Sequence, residues 1–147
     1  MMRPRDFLDV AWDLSAGSRE GDWRSAVSRA YYAAFHIGRQ LLQQCGFEVP
    51  DADQAHAFVW LRLSNAGHPE VQQAGARLRH LRYARNWADY DLDRPFNQVT
   101  AIDQVQIAAD IFEVLESAGT EPAFRAQITE AIKTYERDVL RKVTWHS

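Results

Sequence analysis

The 147-residue sequence holds a single cysteine, Cys45. An internal disulfide is therefore excluded, and one thiol fits a reducing compartment. Cys45 follows Leu41, Leu42 and two glutamines. Nothing in that stretch suggests thiolate activation, so it reads as a small core or near-surface residue. Glycine and proline are also scarce, at 7 and 5 residues, which leaves room for long helices. No stretch is long and apolar enough to cross a bilayer, and no membrane association is expected. Met1 to Asp6 leads into an amphipathic segment, not the apolar core of a signal peptide. The expected compartment is the cytoplasm.

Other absences narrow the chemistry. The glycines at 17, 21, 38, 46, 67, 75 and 119 are isolated, so no glycine-rich phosphate loop exists. The five histidines lack metal-ligand spacing, and no His-Glu-x-x-His pair occurs. A serine nucleophile elbow is missing as well. Metal hydrolases and nucleotide-loop enzymes are thereby disfavoured, and neither a metal nor another cofactor is expected. With 17 basic and 20 acidic residues the formal charge is -3, which does not suggest a generally basic nucleic-acid binder. The charge is nevertheless unevenly spread. Arg77, Arg79, Arg82 and Arg85 crowd one segment with no acid among them, and Asp89, Asp91 and Asp93 follow at once. A local basic patch can exist on an acidic protein.

What is present is helical periodicity, with no convincing period-two alternation. The length suits one domain, able to bury roughly 70% of the surface its unfolded chain exposes. A first helix is expected over about Asp6 to Ser15, with Phe7, Val10, Ala11 and Leu14 on one face and Gly17 as its stop. A second starts near Asp22, a good N-cap, and runs to Gln44 or Cys45 before Gly46. Its apolar line is Val27, Ala30, Ala34, Ile37, Leu41 and Cys45, widened by Tyr31, Phe35 and Leu42. Pro50, Asp51 and Asp53 open a third helix that ends at Leu63. The fourth begins after His68-Pro69 and reaches about Asp91. The fifth starts near Asn97 or Thr100, with Ile102, Val105, Ala109, Phe112 and Leu115 inward. Ser117 to Pro122 reads as a break. The last helix, about 122 to 143, carries Phe124, Ile128, Ala131, Tyr135 and Val139 on one stripe. The expectation is an all-α, antiparallel (up-and-down) bundle of five to six helices in one domain, 1–147. The last helix reads as an addition to a smaller core or as an oligomer contact.

Polar residues that break this pattern are the candidates for function. On the fourth helix the line runs Ala74, Leu78, Leu81, then Arg85, then Ala88 and Leu92. A guanidinium on a core-facing line must be paired or face a cavity, because stranding it costs several kcal/mol. It can be a structural arginine in a buried ion pair or part of a site. Asp89 lies four residues on and can share its helix face. Carboxylates at Asp89 and Asp91 sit badly with the dipole at a helix C-terminus, so stability alone does not recommend them. The second helix carries a matching stripe of Arg29, Tyr32, His36 and Arg39, beside alanines that allow close helix approach. His36 could act as a base or bind phosphate, or could simply be hydrogen-bonded.

The run Arg29-Ala30-Tyr31-Tyr32-Ala33-Ala34-Phe35-His36, preceded in register by Trp23-Arg24-Ser25-Ala26-Val27, resembles the opening signature of HEPN proteins (higher eukaryotes and prokaryotes nucleotide-binding). Arg85-Asn86-Trp87-Ala88-Asp89-Tyr90-Asp91 resembles the late-helix signature of a prokaryotic subfamily with an Arg followed by Ala-Asp-Tyr. His56 falls where these proteins often have a histidine. The resemblance spans roughly residues 20 to 117. It implies a helical bundle that commonly forms homodimers. It also implies a metal-independent endoribonuclease or toxin of toxin–antitoxin, anti-phage defence or CRISPR-linked systems. In that family an arginine is followed after about four to six residues by a histidine, and two copies make one composite site. Arg85 matches the arginine. Tyr90, Asp91 and Leu92 stand where the histidine is expected.

Read onto this chain, Arg85 would steady a phosphorane, with Asp89, Tyr90 or His36 moving protons. Asn86, Arg29, Tyr32 and Arg82 would bind RNA or a nucleotide, and Tyr32 or Trp87 would stack a base. The alternative is a non-catalytic RNA-binding or scaffold subunit that partners a nucleotidyltransferase antitoxin or a CRISPR-type defence complex. Tyr90 is then a conceivable acceptor of nucleotidyl modification.

Overall fold

Short-range chemistry sets the ends of the helices. In a computed structural model that describes all 147 residues, α1 spans Pro4–Ser15, α2 Glu20–Cys45, α3 Gln54–Leu63 and α4 Pro69–Tyr90. They are followed by α5 at Gln98–Thr120, α6 at Pro122–Tyr135 and a π-helical turn at Glu136–Leu140. The chain is thus an all-α helical bundle, and no helix is long and apolar enough to cross a membrane. Proline opens α1, α4 and α6, where its missing N–H has no helical partner to lose. Asp6 accepts from the backbone N–H of Arg3, and Asp22 from that of Arg19. Each carboxylate reaches back from the third helical position to close the first turn. The Arg3 N–H holds the Asp6 carboxyl below its ordinary range, and the Arg19 side chain does the same for Asp22. Asp22 therefore caps α2 from inside the helix, which starts two residues before the expected position. Gly46, at φ +102°, stops α2. Its N–H donates to the Gln43 carbonyl and that of Phe47 to Leu42, the paired bonds of a left-handed glycine stop.

The helices gather into two compact units, Met1–His36 with Arg77–Phe112, and Ile37–Ala76 with Glu113–Ser147. In the first, Gln98 Nε2 donates to the Ser15 carbonyl and the Arg5 guanidinium lies over Phe112. There α1 and α5 run antiparallel. Leu8, Ala11, Val27, Tyr31, Leu81, Val105 and Phe112 fill that core. In the second, Val59, Leu63, Val71, Leu115, Ile128 and Ile132 are buried. The C-terminal residues return to the end of α2, where Trp145 Nε1 donates to the Cys45 carbonyl at 2.9 Å. Burial pushes the Cys45 thiol pKa up, which fits an inert core cysteine.

Gly75 marks a close approach in the second unit. A Cβ there would lie 2.5 Å from the Ser64 backbone nitrogen and 2.9 Å from the Leu63 carbonyl carbon. Alanine gains about 1 kcal/mol of helix propensity, but the clash is with backbone, which cannot rotate away. Gly75→Ala is expected to lower stability by about 1–2 kcal/mol net, read as a lower urea midpoint at unchanged slope. A raised midpoint would show that the two segments have room to part.

Several expected registers shift by one residue. In α1, Leu8 and Ala11 are buried while Val10 is exposed. In α5, Ala101, Ala108 and Ile111 turn inward while Ile102 is exposed and Ala109 half-buried. Small alanines let the helix sit close, and the bulkier neighbour rotates outward. From α6 into the π-turn the buried line is Ile128, Ile132 and Glu136, and Val139 is exposed because that turn intervenes. The helical run ends at Leu140, not near residue 143. Leu92 lies past the end of α4 and is exposed. The broad break expected at 117–122 shrinks to Glu121 alone.

Candidate functional site

Arg29, Tyr32 and His36 on α2 and Arg82 to Tyr90 on α4 belong to the first unit, whereas Arg39 lies in the second, 3.8 Å from Asp51 Oδ1. Arg85 Nη2 donates to the Tyr32 hydroxyl at 2.8 Å, and Nη1 donates to Asn86 Oδ1 at 3.1 Å. Its Nε lies 2.9 Å from Asp89 Oδ2, an ion-pair contact without hydrogen-bond alignment. The Arg85 side chain is 13% exposed and that of Asp89 27%. Arg85 therefore sits at the rim of the packed interior, which explains how it occupies a core line. Asp89 Oδ2 also accepts from Ser28 Oγ at 3.0 Å. The Arg85 guanidinium carbon is 5.2 Å from the centre of the Tyr32 ring and 5.3 Å from that of Tyr90. The Arg29 guanidinium approaches the Tyr32 ring to 5.3 Å.

Tyr32 is thus contacted by two cations, with one carboxylate, Asp89, among these groups. Arg82, one turn before Arg85, is half-buried, and its Nε makes no hydrogen bond. Cationic side chains gathered on aromatic rings with donor atoms at the rim form an arrangement suited to an oxyanion. Burial drives the pKa of neighbouring Tyr31 upward, so that phenol is not a base. Tyr90 is 71% exposed and can reach a bound molecule. His36 packs in an aromatic cluster, with ring centroids 5.1 Å from Phe7 and 6.1 Å from Tyr32. Trp87 is packed against Phe96 and beneath Arg94. It is half-buried, with its Nε1 donating to the Arg94 carbonyl at 3.4 Å. His56 is buried on α3 in the other unit.

Two contributors were not singled out in the sequence. Ser28 anchors Asp89 from α2. Arg24, buried, donates through Nη1 to the carbonyls of Trp87, Ala88 and Asp91 at 3.1, 3.0 and 3.2 Å, and through Nη2 to that of Arg94. It supplies the cation that the C-terminal end of α4 requires and so fixes the turn that bears Asp89 and Tyr90. The signal was available: Arg24 precedes Val27, Ser28 and Tyr31 on the inward line of α2, just as Arg85 interrupts that of α4. Arg24→Ala would strand these carbonyls and is expected to cost about 2–4 kcal/mol. Thermal unfolding reads the total, and hydrogen exchange should localise the loosening to 87–94. Unchanged protection there would refute the capping role.

No group of three or more His, Cys, Asp or Glu side chains is placed to hold a metal ion. No family model, curated protein or solved structure matches the chain.

Proposed function

We propose that this protein is a HEPN-type RNA-processing module whose Arg85 cluster grips a backbone phosphate. The observation that carries the reading is the Arg85 guanidinium, held at the rim between Tyr32, Asn86 and Asp89. In the catalytic form of the proposal, Asp89 takes the proton of a 2′-hydroxyl. Ser28 and Arg85 both contact its Oδ2, which leaves Oδ1 for the proton. The 2′-oxygen then attacks phosphorus, the bond to the 5′-oxygen breaks, and Arg85 stabilises the charge on the phosphorane. Tyr90, exposed beside Arg85, donates a proton to the leaving oxygen. Arg29 and Arg82 hold neighbouring phosphates, and Tyr32 orients Arg85. The expected working form is a homodimer in a toxin–antitoxin or defence setting.

One observation favours a second reading. Arg85 already has Tyr32, Asn86 and Asp89 as partners within the chain. The cluster would then be a structural ion pair in a non-catalytic subunit that partners a nucleotidyltransferase or a CRISPR-type complex. Induced expression in a bacterial host separates the two. Wild type should slow growth and degrade RNA, and Arg85→Ala should do neither at equal abundance. Intact RNA in both strains would remove the ribonuclease form of the proposal.

A further inference from the structure

A second charged cluster lies in the unit of Ile37–Ala76 and Glu113–Ser147 and involves none of the residues around Arg85. Arg62 on α3, with its side chain 5% exposed, donates through Nε to Glu136 Oε2 at 2.8 Å. The Glu136 side chain is fully buried. Its Oε1 accepts from the backbone N–H of Thr144 and its Oε2 from the Thr144 hydroxyl. The carboxylate is therefore well satisfied by this chain. Arg62 commits Nε to that pair and rests its guanidinium 3.5 Å from the centre of the Phe58 ring.

A cavity of about 290 Å³ opens beside this pair, with Arg62 in its wall. Phe58, Leu61 and Leu140 form its apolar side, and Lys142 adds a second cation. No carboxylate lines it, so the charge of Lys142 is unbalanced at the cavity surface. Leu140 and Lys142 are brought there by the π-helical turn Glu136–Leu140. Arg141, which ends that turn, adopts a left-handed conformation at φ +53°, uncommon for a residue with a Cβ. Single π-turns are frequent at functional sites.

We infer that this cavity binds a short monocarboxylate with an apolar tail. The planar carboxylate suits the terminal NH₂ groups of Arg62, which form a fork, and the Lys142 ammonium adds attraction. The tail lies against Phe58, Leu61 and Leu140. The volume is close to the lower limit of ordinary ligand sites, roughly 300 Å³, so the ligand is small. A mostly apolar wall suits one charge and a hydrocarbon tail better than a phosphate dianion. This inference stands apart from the RNA reading and survives its failure.

The test uses octanoate as probe, with octanol and inorganic phosphate as comparators, in calorimetric titrations of the full chain. Octanoate should bind saturably at millimolar or lower concentration. Octanol should bind roughly tenfold or more weakly, because it cannot replace charge-assisted bonds. Phosphate should give no saturable heat. Ala57 lines the cavity and is exposed, so Ala57→Trp should fill the space and abolish binding. Lys142→Gln, at an exposed lysine, should weaken binding about two- to fivefold. It keeps the test standing if the tryptophan disturbs folding. Equal binding of octanol, undiminished binding in both variants, or no saturable octanoate binding would each overturn the inference.

Discussion

Arg62→Ala is expected to be among the most damaging single substitutions in the molecule. It would leave the fully buried Glu136 carboxylate without its cation. Breaking one side of such a pair costs about 3–5 kcal/mol, which is a large share of the 5–15 kcal/mol that holds a typical domain together. For a chain of this length the melting temperature should fall by roughly 6–20 °C. Removing both charges should be milder. In Arg62→Met/Glu136→Leu the buried ions vanish together, and the remaining loss is the acceptor of the Thr144 N–H and hydroxyl, about 1–3 kcal/mol. Thermal or urea unfolding of the wild type, the two single variants and the double variant completes the cycle. If the double variant is as unstable as the sum of the singles, the pair is not coupled and this account of Glu136 fails.

That pair also shows what could not be read from the sequence. Arg62 and Glu136 are 74 positions apart, and nothing local marks either as a partner. Glu136 follows Ile128 and Ile132 on the buried line, but Tyr135 beside it is the more plausible core residue by type. The π-turn that redirects the chain after it has no sequence punctuation. Ser28 was hidden for a similar reason, being a small polar residue whose partner Asp89 lies 61 positions away.

By contrast, the ends of α2 and α3 and the start of α4 were legible, because Gly46, the turn at Asn65 to Gly67 and Pro69 act through backbone chemistry alone. The register of α1, α5 and α6 was less so. Where adjacent positions are both apolar, as at Ala101 and Ile102, two helical templates fit equally, and packing chooses the smaller residue. Arg85 and Asp89 were legible because one interrupts an apolar line and the other follows at helical spacing.

The second large effect concerns Arg85 itself. Asp89 retains considerable solvent access, at 27%, so losing its partner should change stability by no more than about 1 kcal/mol. Function should change far more. If Arg85 carries phosphate, Arg85→Ala should weaken binding of single-stranded RNA about tenfold or more, the worth of a charge-assisted contact. If it steadies a developing phosphorane, cleavage should fall about 10²- to 10³-fold. Arg85→Lys keeps the charge but loses the planar fork that engages Tyr32 and Asn86 together, and should recover binding better than cleavage.

The decisive measurement follows labelled single-stranded RNA with purified wild type, Arg85→Ala and Arg85→Lys, in the presence of a metal chelator and beside each protein's melting curve. Wild type should bind RNA and cleave it slowly, and Arg85→Ala should do neither at a nearly unchanged melting temperature. Arg85→Ala that binds RNA as wild type does while melting several degrees lower would contradict this, and would make Arg85 and Asp89 a structural ion pair.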